Sequence, residues 1–299
     1  MTAHPATSPM KHVLGSYVQP AMVAALIAFW LWAPAGWVKW QWTVAVVGLV
    51  ITALILAMEF IAERHAGWRM NRTEFLTDLF YVVLGLSAIG WITTKLADDP
   101  LTALKHKLGL TTLWAQHLPF VAQVALVIFL VEFGQYWMHR LMHNHPLFWS
   151  FHAPHHHITQ LNAMKGAVGN PIELFLISLS VVALFDLNPA AEFCAFNILG
   201  VVSTFAHANV RWDPPRWYGF FFVTIRNHSL HHSVPYEDTR CNYANSLILI
   251  DRVFGTYREG ESAIVGQDAR KRLTILEQFA FPFRPLIAAA QARRTGAAL

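Results

Sequence analysis

Charge and cysteine are both scarce in this 299-residue chain: 13% of residues are Asp, Glu, Lys or Arg, and there are two cysteines. A soluble globular chain carries about twice that share of charge. With 55% apolar residues beside it, so little charge excludes a disordered tail and a coiled coil. Cys194 and Cys241 are too few for a disulfide framework or a thiolate metal cluster, and Cys194 falls inside an apolar run. No HExxH sequence occurs, because Arg140 follows His139, so the general base of an intramembrane metalloprotease is missing. Neither a Rossmann glycine fingerprint nor an HPGG segment is present, and no internal repeat is visible. The excess of positive charge is local. Between 209 and 299 there are 12 Lys/Arg and 8 Asp/Glu, and the remainder of the chain has 10 of each. A basic tail of this kind suits the cytoplasmic face of a membrane, and a nucleic-acid partner is not expected.

Long apolar runs are what the chain has instead. A bilayer core needs roughly 20 apolar residues per helix, and segments 13–32, 42–60, 76–94 and 119–138 meet or approach that length. Segments 171–187 and 189–208 add two more, the first short and carrying Glu173 and Asp186 and therefore read as a hairpin that does not cross completely. The expectation is an all-α integral membrane protein with four to six transmembrane helices, six being the central value. The run 13–32 is read as a retained helix, because Trp30 and Trp32 crowd the small-residue site Ala33-Pro34-Ala35 that a signal peptidase would need. Leucines among lysines in 95–118 predict an interfacial helix on the outer side. With the N-terminus inside, 18 Lys/Arg fall on the cytoplasmic side and 4 outside, although in the short segments the split is 6 to 4. The chain divides into 1–131, transmembrane helices with the outer helix; 132–257, the histidine-rich region; and 258–299, a basic tail.

Histidine is the anomaly. Of 16, 11 lie between His139 and His232. HRLMH supplies His139 and His143 at i,i+4 on one helical face. HAPHH supplies His152, His155 and His156, FAHAN supplies His207, and HSLHH supplies His228, His231 and His232. Taken alone, a histidine at a helix end is a hydrogen-bonded or interfacial residue, and His4, His12, His65, His106 and His117 are read so. The pattern HxxxH, HxxHH, HxxHH is different, since neutral imidazole is the commonest metal ligand near neutral pH. One zinc needs at most four ligands, so nine histidines predict two metal ions in one site. Adjacent pairs at helix ends fit such a centre better than axial haem ligation. Imidazole suits iron, copper, nickel and zinc alike. Iron is the reading for an apolar protein beside lipid chains, whose C–H bonds yield only to a redox metal and dioxygen; zinc has no redox chemistry. His157 and His145 lie outside the spacing and are read as facing solvent, with His157 an alternative ligand or hydrogen-bonding neighbour.

From Glu132 to Thr256 the chain resembles the fatty acid hydroxylase/sterol desaturase superfamily of membrane di-iron oxygenases. The resemblance rests on EFGQYWMHRLMH, WSFHAPHHH, FAHANV, RNHSLHH, Asn242-Tyr243 and DRVFGTY in that order. It implies two Fe ions held by His139, His143, His152, His155, His156, His207, His228, His231 and His232 in a cytoplasmic helical cap, with dioxygen as cosubstrate. It also implies hydroxylation or desaturation of a lipid, sterol or carotenoid desaturation and ether-lipid monooxygenation being the alternatives; a membrane metal-binding or transport protein is the reading of another class. Two departures stand out. No tenth ligand is evident, since Ser203 and Arg211 flank His207 at four residues. Where relatives have His-Pro-x-Glu, this chain has Asn170-Pro171-Ile172-Glu173. Glu132, seven residues before His139 on the same helical face, is the expected carboxylate for an imidazole, with Asn209 and Asp251 the other catalytic candidates. Electrons are expected from a separate ferredoxin, cytochrome or reductase. Arg270, Lys271 and Arg272 are offered to that donor or to lipid headgroups. The expected location is the inner membrane of a bacterium.

Overall fold

The computed structural model describes residues 9–40 and 42–287. Those residues are built from helices and connecting loops, without strands beyond two isolated bridges. The elements that carry the argument are α1 (Pro9–Ser16), α2 (Val18–Leu31), α3 (Thr43–Ile61), α4 (Arg72–Lys107), α5 (Phe120–Asn144), α6 (Pro146–His156), α7 (Pro171–Ser178), α8 (Pro189–His207) and α9 (Ile225–His231).

Four of these, α3, α4, α5 and α8, are long and apolar enough to cross a bilayer. The first apolar run is broken at Tyr17, and α2 has 14 residues, short of a full crossing. The 171–187 run is shorter still, α7 followed by a single turn at Val182–Leu184. Four helices thus meet the length for a crossing, within the four to six expected, and two shorter apolar segments pack beside them; Asp186 and Asn188 bond Lys105 and Gln123 at the end of the bundle opposite the histidines, so the 171–187 run carries the chain back across it.

The helix expected over 95–118 is not a separate one. Residues up to Lys107 continue α4, a helix of 36 residues. Two π turns, Gly85–Ile89 and Thr94–Asp98, let it run on past Pro100, whose missing N–H and bulky ring break a regular helix. It stops at Gly109, where φ is +62, and the amides of Gly109 and Leu110 turn back to the carbonyls of His106 and Lys105. Lys105 then donates to Asp186 at 2.6 Å, tying this end to the 182–187 turn.

The core sits around α8, which packs against α2, α3 and α5. Its buried Ala190, Ala191, Cys194 and Ala195 are small, so neighbouring backbones approach closely, as packing between helices in lipid requires. Asn197 joins three helices, accepting from Trp30 Nε1 at 3.0 Å and donating to the Val44 carbonyl at 3.0 Å.

Acidic residues on the spans hold the polar loops rather than face lipid. Glu59 accepts from the amides of Ala163 and Asn209 at 2.8 and 2.9 Å. Lys165, buried, bonds both Glu74 and Asp78, and Asn162 donates to Asp78 at 2.8 Å. The tail folds back as well: Arg272 pairs with Glu74, and Arg270 donates to the carbonyls of Val265 and Thr159. Lys271 meets Glu277 at 3.2 Å, so all three basic residues offered to a partner have contacts within the chain.

Candidate metal centre

α5 has 25 residues, about 37 Å at 1.5 Å each, against a hydrocarbon core of about 30 Å. Its last turns, with His139 and His143, therefore project beyond the apolar layer. Pro146 ends it: the residue before a proline avoids the helical region, and His145 is extended at φ −132, ψ 125. Pro146 also starts α6, which folds His152, His155 and His156 back over His139 and His143. α8 ends in His207, and α9 brings His228 and His231, with His232 at its C-terminus.

All nine cluster histidines are buried, and they fall into two groups: His139, His143, His152, His156 and His231, and His155, His207, His228 and His232. Each HxxHH segment gives its i,i+4 pair to one group and its third histidine to the other. His152 and His156 belong with His139 while His155 crosses over; His228 and His232 belong with His207 while His231 crosses back. The groups abut, with the rings of His156 and His232 stacked 4.4 Å apart.

Hydrogen bonds fix which nitrogen is free in six of the nine rings, and Nδ1 of His156, His228 and His232 is buried without a partner. Nδ1–H donates to a backbone carbonyl in His139 (Tyr243, 2.6 Å), His155 (Val168, 2.6 Å), His207 (Ser203, 2.9 Å) and His231 (Cys241, 2.7 Å). In His152 it meets Glu173 Oε1 at 2.6 Å. In His143 it meets Thr239 Oγ1 at 3.3 Å, whose own proton goes to the Tyr236 carbonyl. A neutral imidazole has one proton, so Nε2 of these rings carries a lone pair. Burial keeps the rings neutral, pushing His152 down to about 3 and His155 down to about 4.

Yet these lone pairs face one another. In the first group His139 Nε2 lies 2.9 Å from His152 Nε2, 3.2 Å from His143 Nε2 and 3.1 Å from His231 Nε2; in the second the free Nε2 of His207 lies 2.8 Å from His228 Nε2, itself 3.1 Å from His232 Nε2, and these four histidines gather as the first five do. Between two proton-free nitrogens such a contact is repulsive unless a cation is shared. Nitrogens held about 2.1 Å from a common ion at right angles would be about 3.0 Å apart. The residues present therefore fit two metal ions, and all-imidazole donors suit a first-row transition metal.

A cavity of about 250 Å³ opens on this centre, touching His139 and His152 of one group and His155 and His207 of the other. Gln135, Asn245 and Ser203 line it with Glu132 and Glu173. None of the first three stood out in the sequence, and only the cavity identifies them.

The three other candidates sit at different distances from the imidazoles. Glu132 does not fix the His139 tautomer: seven residues along a helix is about 10 Å of rise, so sharing a face does not bring the two together. Its Oε2 accepts instead from the amides of Ser246 and Leu247 at 2.9 and 3.0 Å. Asp251 accepts from the amides of Tyr243 and Ala244, both at 2.8 Å, and from Thr256 Oγ1 at 2.6 Å. It thus braces the loop whose carbonyl holds His139. Asn209 bonds the backbone of His65 on both sides, its Oδ1 accepting at 2.8 Å and its Nδ2 donating at 3.0 Å, and lies outside the histidine groups. His157, expected at solvent, is buried: Nδ1 donates to the Ala153 carbonyl at 2.8 Å and Nε2 meets Asp268 at 3.0 Å. His145 is exposed. Among the described residues the carboxylate on an imidazole of either group is Glu173. Its signal was Asn-Pro-x-Glu, which starts a helix: Asn170 and Glu173 form a capping box around Pro171.

Residues 124–256 match the fatty acid hydroxylase family. Among curated proteins the chain is similar to an ornithine lipid hydroxylase of Rhizobium tropici, 29% identical over 252 residues, which cover 80% of this chain and 75% of that one. It is similar to a Delta(7)-sterol-C5(6)-desaturase of Nicotiana tabacum, 30% identical over 52% of this chain and 55% of the relative. It is also similar to the human alkylglycerol monooxygenase, 29% identical over 46% of this chain and 31% of the relative. No solved structure matches. Histidine order, helical frame and matched region agree, and together they support the likeness of this chain to the fatty acid hydroxylase/sterol desaturase superfamily.

Proposed function

We propose that this chain is a membrane-bound di-iron monooxygenase that hydroxylates a C–H bond of a lipid, consuming dioxygen, two electrons and two protons and releasing one water. The observation that carries the reading is the pair of buried histidine groups, the first with four proton-free Nε2 atoms turned toward one another, both opening on one cavity. Lipid-modifying relatives support the substrate class. Two bound iron ions would supply the capacity to activate dioxygen and abstract hydrogen from an unactivated carbon.

The chain's own residues do the rest. Backbone carbonyls of Val168, Ser203, Cys241 and Tyr243 orient four imidazoles, so donor directions are set before a metal arrives. Glu173 holds the His152 proton on Nδ1 and makes that ring a stronger donor. Burial of all nine rings keeps water from the reacting carbon. Tyr236 donates to the His143 carbonyl at 2.7 Å and packs against Trp149, closing the centre away from the cavity.

By the distribution of basic residues the centre faces the cytoplasm of a bacterial inner membrane, where a ferredoxin, cytochrome or reductase supplies electrons. Desaturation is the second reading, favoured by the sterol desaturase relative. Metal analysis of anaerobically purified protein, joined to mass spectrometry of lipids from cells with and without the gene, tests the proposal. About two irons per chain and a lipid heavier by one oxygen support it, and a lipid lighter by two hydrogens selects desaturation. A redox-inert protein that exchanges metal and leaves the lipids unchanged overturns it.

A further inference from the structure

Beside the metal cavity lies a second one, of about 310 Å³, along α8 between α3 and α4. Val44, Leu49, Val82, Leu86 and Phe196 give it apolar walls, and no histidine lines it. The two cavities share a residue, Gly200. Gly166 borders the metal cavity and its neighbour Ala167 the apolar one, so the 165–167 turn forms part of the same partition. That turn lies close on α8: a Cβ on Gly166 would come within 3.2 Å of the His207 ring and 3.5 Å of Ser203 Oγ.

Gly200 is different. A Cβ there would meet nothing within 4 Å. No close approach of a neighbouring backbone explains a glycine in this helix interior, where the residue is otherwise unfavourable. What its missing side chain leaves is open space between two cavities. Phe196, Gly200 and Thr204 recur every four residues and form one stripe of α8, ending one turn before His207. Phe196 and Gly200 are exposed, so the apolar cavity is open laterally, where lipid would lie.

We propose that Gly200 is a specificity-determining residue: it is the opening through which a straight hydrocarbon chain of the lipid substrate passes between the bilayer-facing groove and the metal cavity. The proposal rests on the lipid oxygenase reading. The chain's methylenes lie along the Phe196–Gly200 stripe, and the carbon to be oxidised lies past Gly200, beside His152 and His207. Side-chain bulk at 200 therefore sets whether an unbranched chain reaches the metals.

The test uses the full chain, iron-loaded, in phosphatidylethanolamine nanodiscs containing a phospholipid with a diazirine in mid-acyl chain. Photolysis is expected to label both the groove (Val82, Phe196) and the metal cavity (Leu199, Ser203) in the wild type. In Gly200→Leu only the groove should be labelled. In cells, Gly200→Ala and Gly200→Leu should lower the oxidised lipid progressively, at least tenfold for leucine, with metal content unchanged. If the wild type oxidises no lipid, the proposed function fails, and the labelling pattern still reports the passage. If the wild type oxidises lipid and Gly200→Leu gives the same product at the same rate with metal retained, the passage is overturned. Should the leucine variant lose its metal, the wild-type map decides: label confined to the groove overturns the proposal, and label in both cavities that Gly200→Ala diminishes supports it.

Discussion

Nδ1 of His152 lies 2.6 Å from Oε1 of Glu173, and among the described residues Glu173 is the one carboxylate bonded to an imidazole of either group. Its second oxygen accepts from the Asn170 amide at 3.2 Å, so the same side chain begins α7 and aims a metal donor. Removing it should loosen both. Glu173→Ala is expected to weaken metal binding about 10–100-fold, the usual cost of losing such a partner. Glu173→Gln keeps an acceptor oxygen and should lie between. Anaerobic titration with Fe(II), read by the metal retained after gel filtration, checks the order.

The division of the histidines into five and four makes a second prediction. His143→Ala removes a donor from the first group and His228→Ala from the second. Each variant should fall from about two metals to about one per chain, and both should lose turnover, because the proposed chemistry needs both ions. His65→Ala, outside both groups, should keep its metals. Loss of both ions from either single variant, with the fold intact by circular dichroism, would instead show that the groups fill only together.

A buried brace supplies a third. Asp251 accepts from two backbone amides, and Asp251→Ala leaves both without a partner in a buried loop. Each orphaned N–H costs about 1–3 kcal/mol. The expected result is a lower Tm together with weaker metal retention, since the displaced loop carries the Tyr243 carbonyl that holds His139. A Tm unchanged from wild type would show that the loop is held by other contacts.

The fourth concerns pH. Hydrogen bonding by Arg64 holds the Glu261 carboxyl down at about 2, below its ordinary 4.5. Between those values the unfolded chain binds the proton and the folded chain does not, so stability rises with pH across that window. The contribution is complete above about 4.5 and is lost as pH falls toward 2. Glu261→Gln should destabilise the protein at pH 6 and leave its unfolding midpoint less steep in acid than wild type. Detergent-solubilised protein followed by intrinsic tryptophan fluorescence between pH 6 and 3 gives the comparison.

How far the sequence could be read depended on the kind of information each feature needs. Hydrophobic length is a property of the chain alone: α8 lies within a run visible in it, and α3 and α5 begin in such runs and extend one and six residues past them. The apolar run that marks α4 ends at Thr94, where Lys95, Asp98 and Asp99 begin, and the π turns that carry the helix on past Pro100 have no residue signature. The histidine motifs stood out by composition and spacing, yet their allotment to two groups did not. Whether His155 or His156 crosses over depends on where α9 docks on α6, a tertiary fact. Most of the groups that orient the rings are backbone carbonyls, at Val168, Ser203, Cys241 and Tyr243, and a carbonyl is the same in every residue type. Glu132 shows the opposite error: helical periodicity places residues on a face and says nothing about the rise that separates them.

The exchange of one histidine between the two HxxHH segments bears on how the protein is made. A ribosome completes His139, His143, His152 and His156 long before the second segment emerges, whereas at that stage the other group has only His155 and His207. A nascent polypeptide arrested ahead of His228 could therefore coordinate one ion with four donors, while the neighbouring ion must wait for the final stretch. Metallation would then follow the direction of translation, and the last motif synthesised would seal both positions at once.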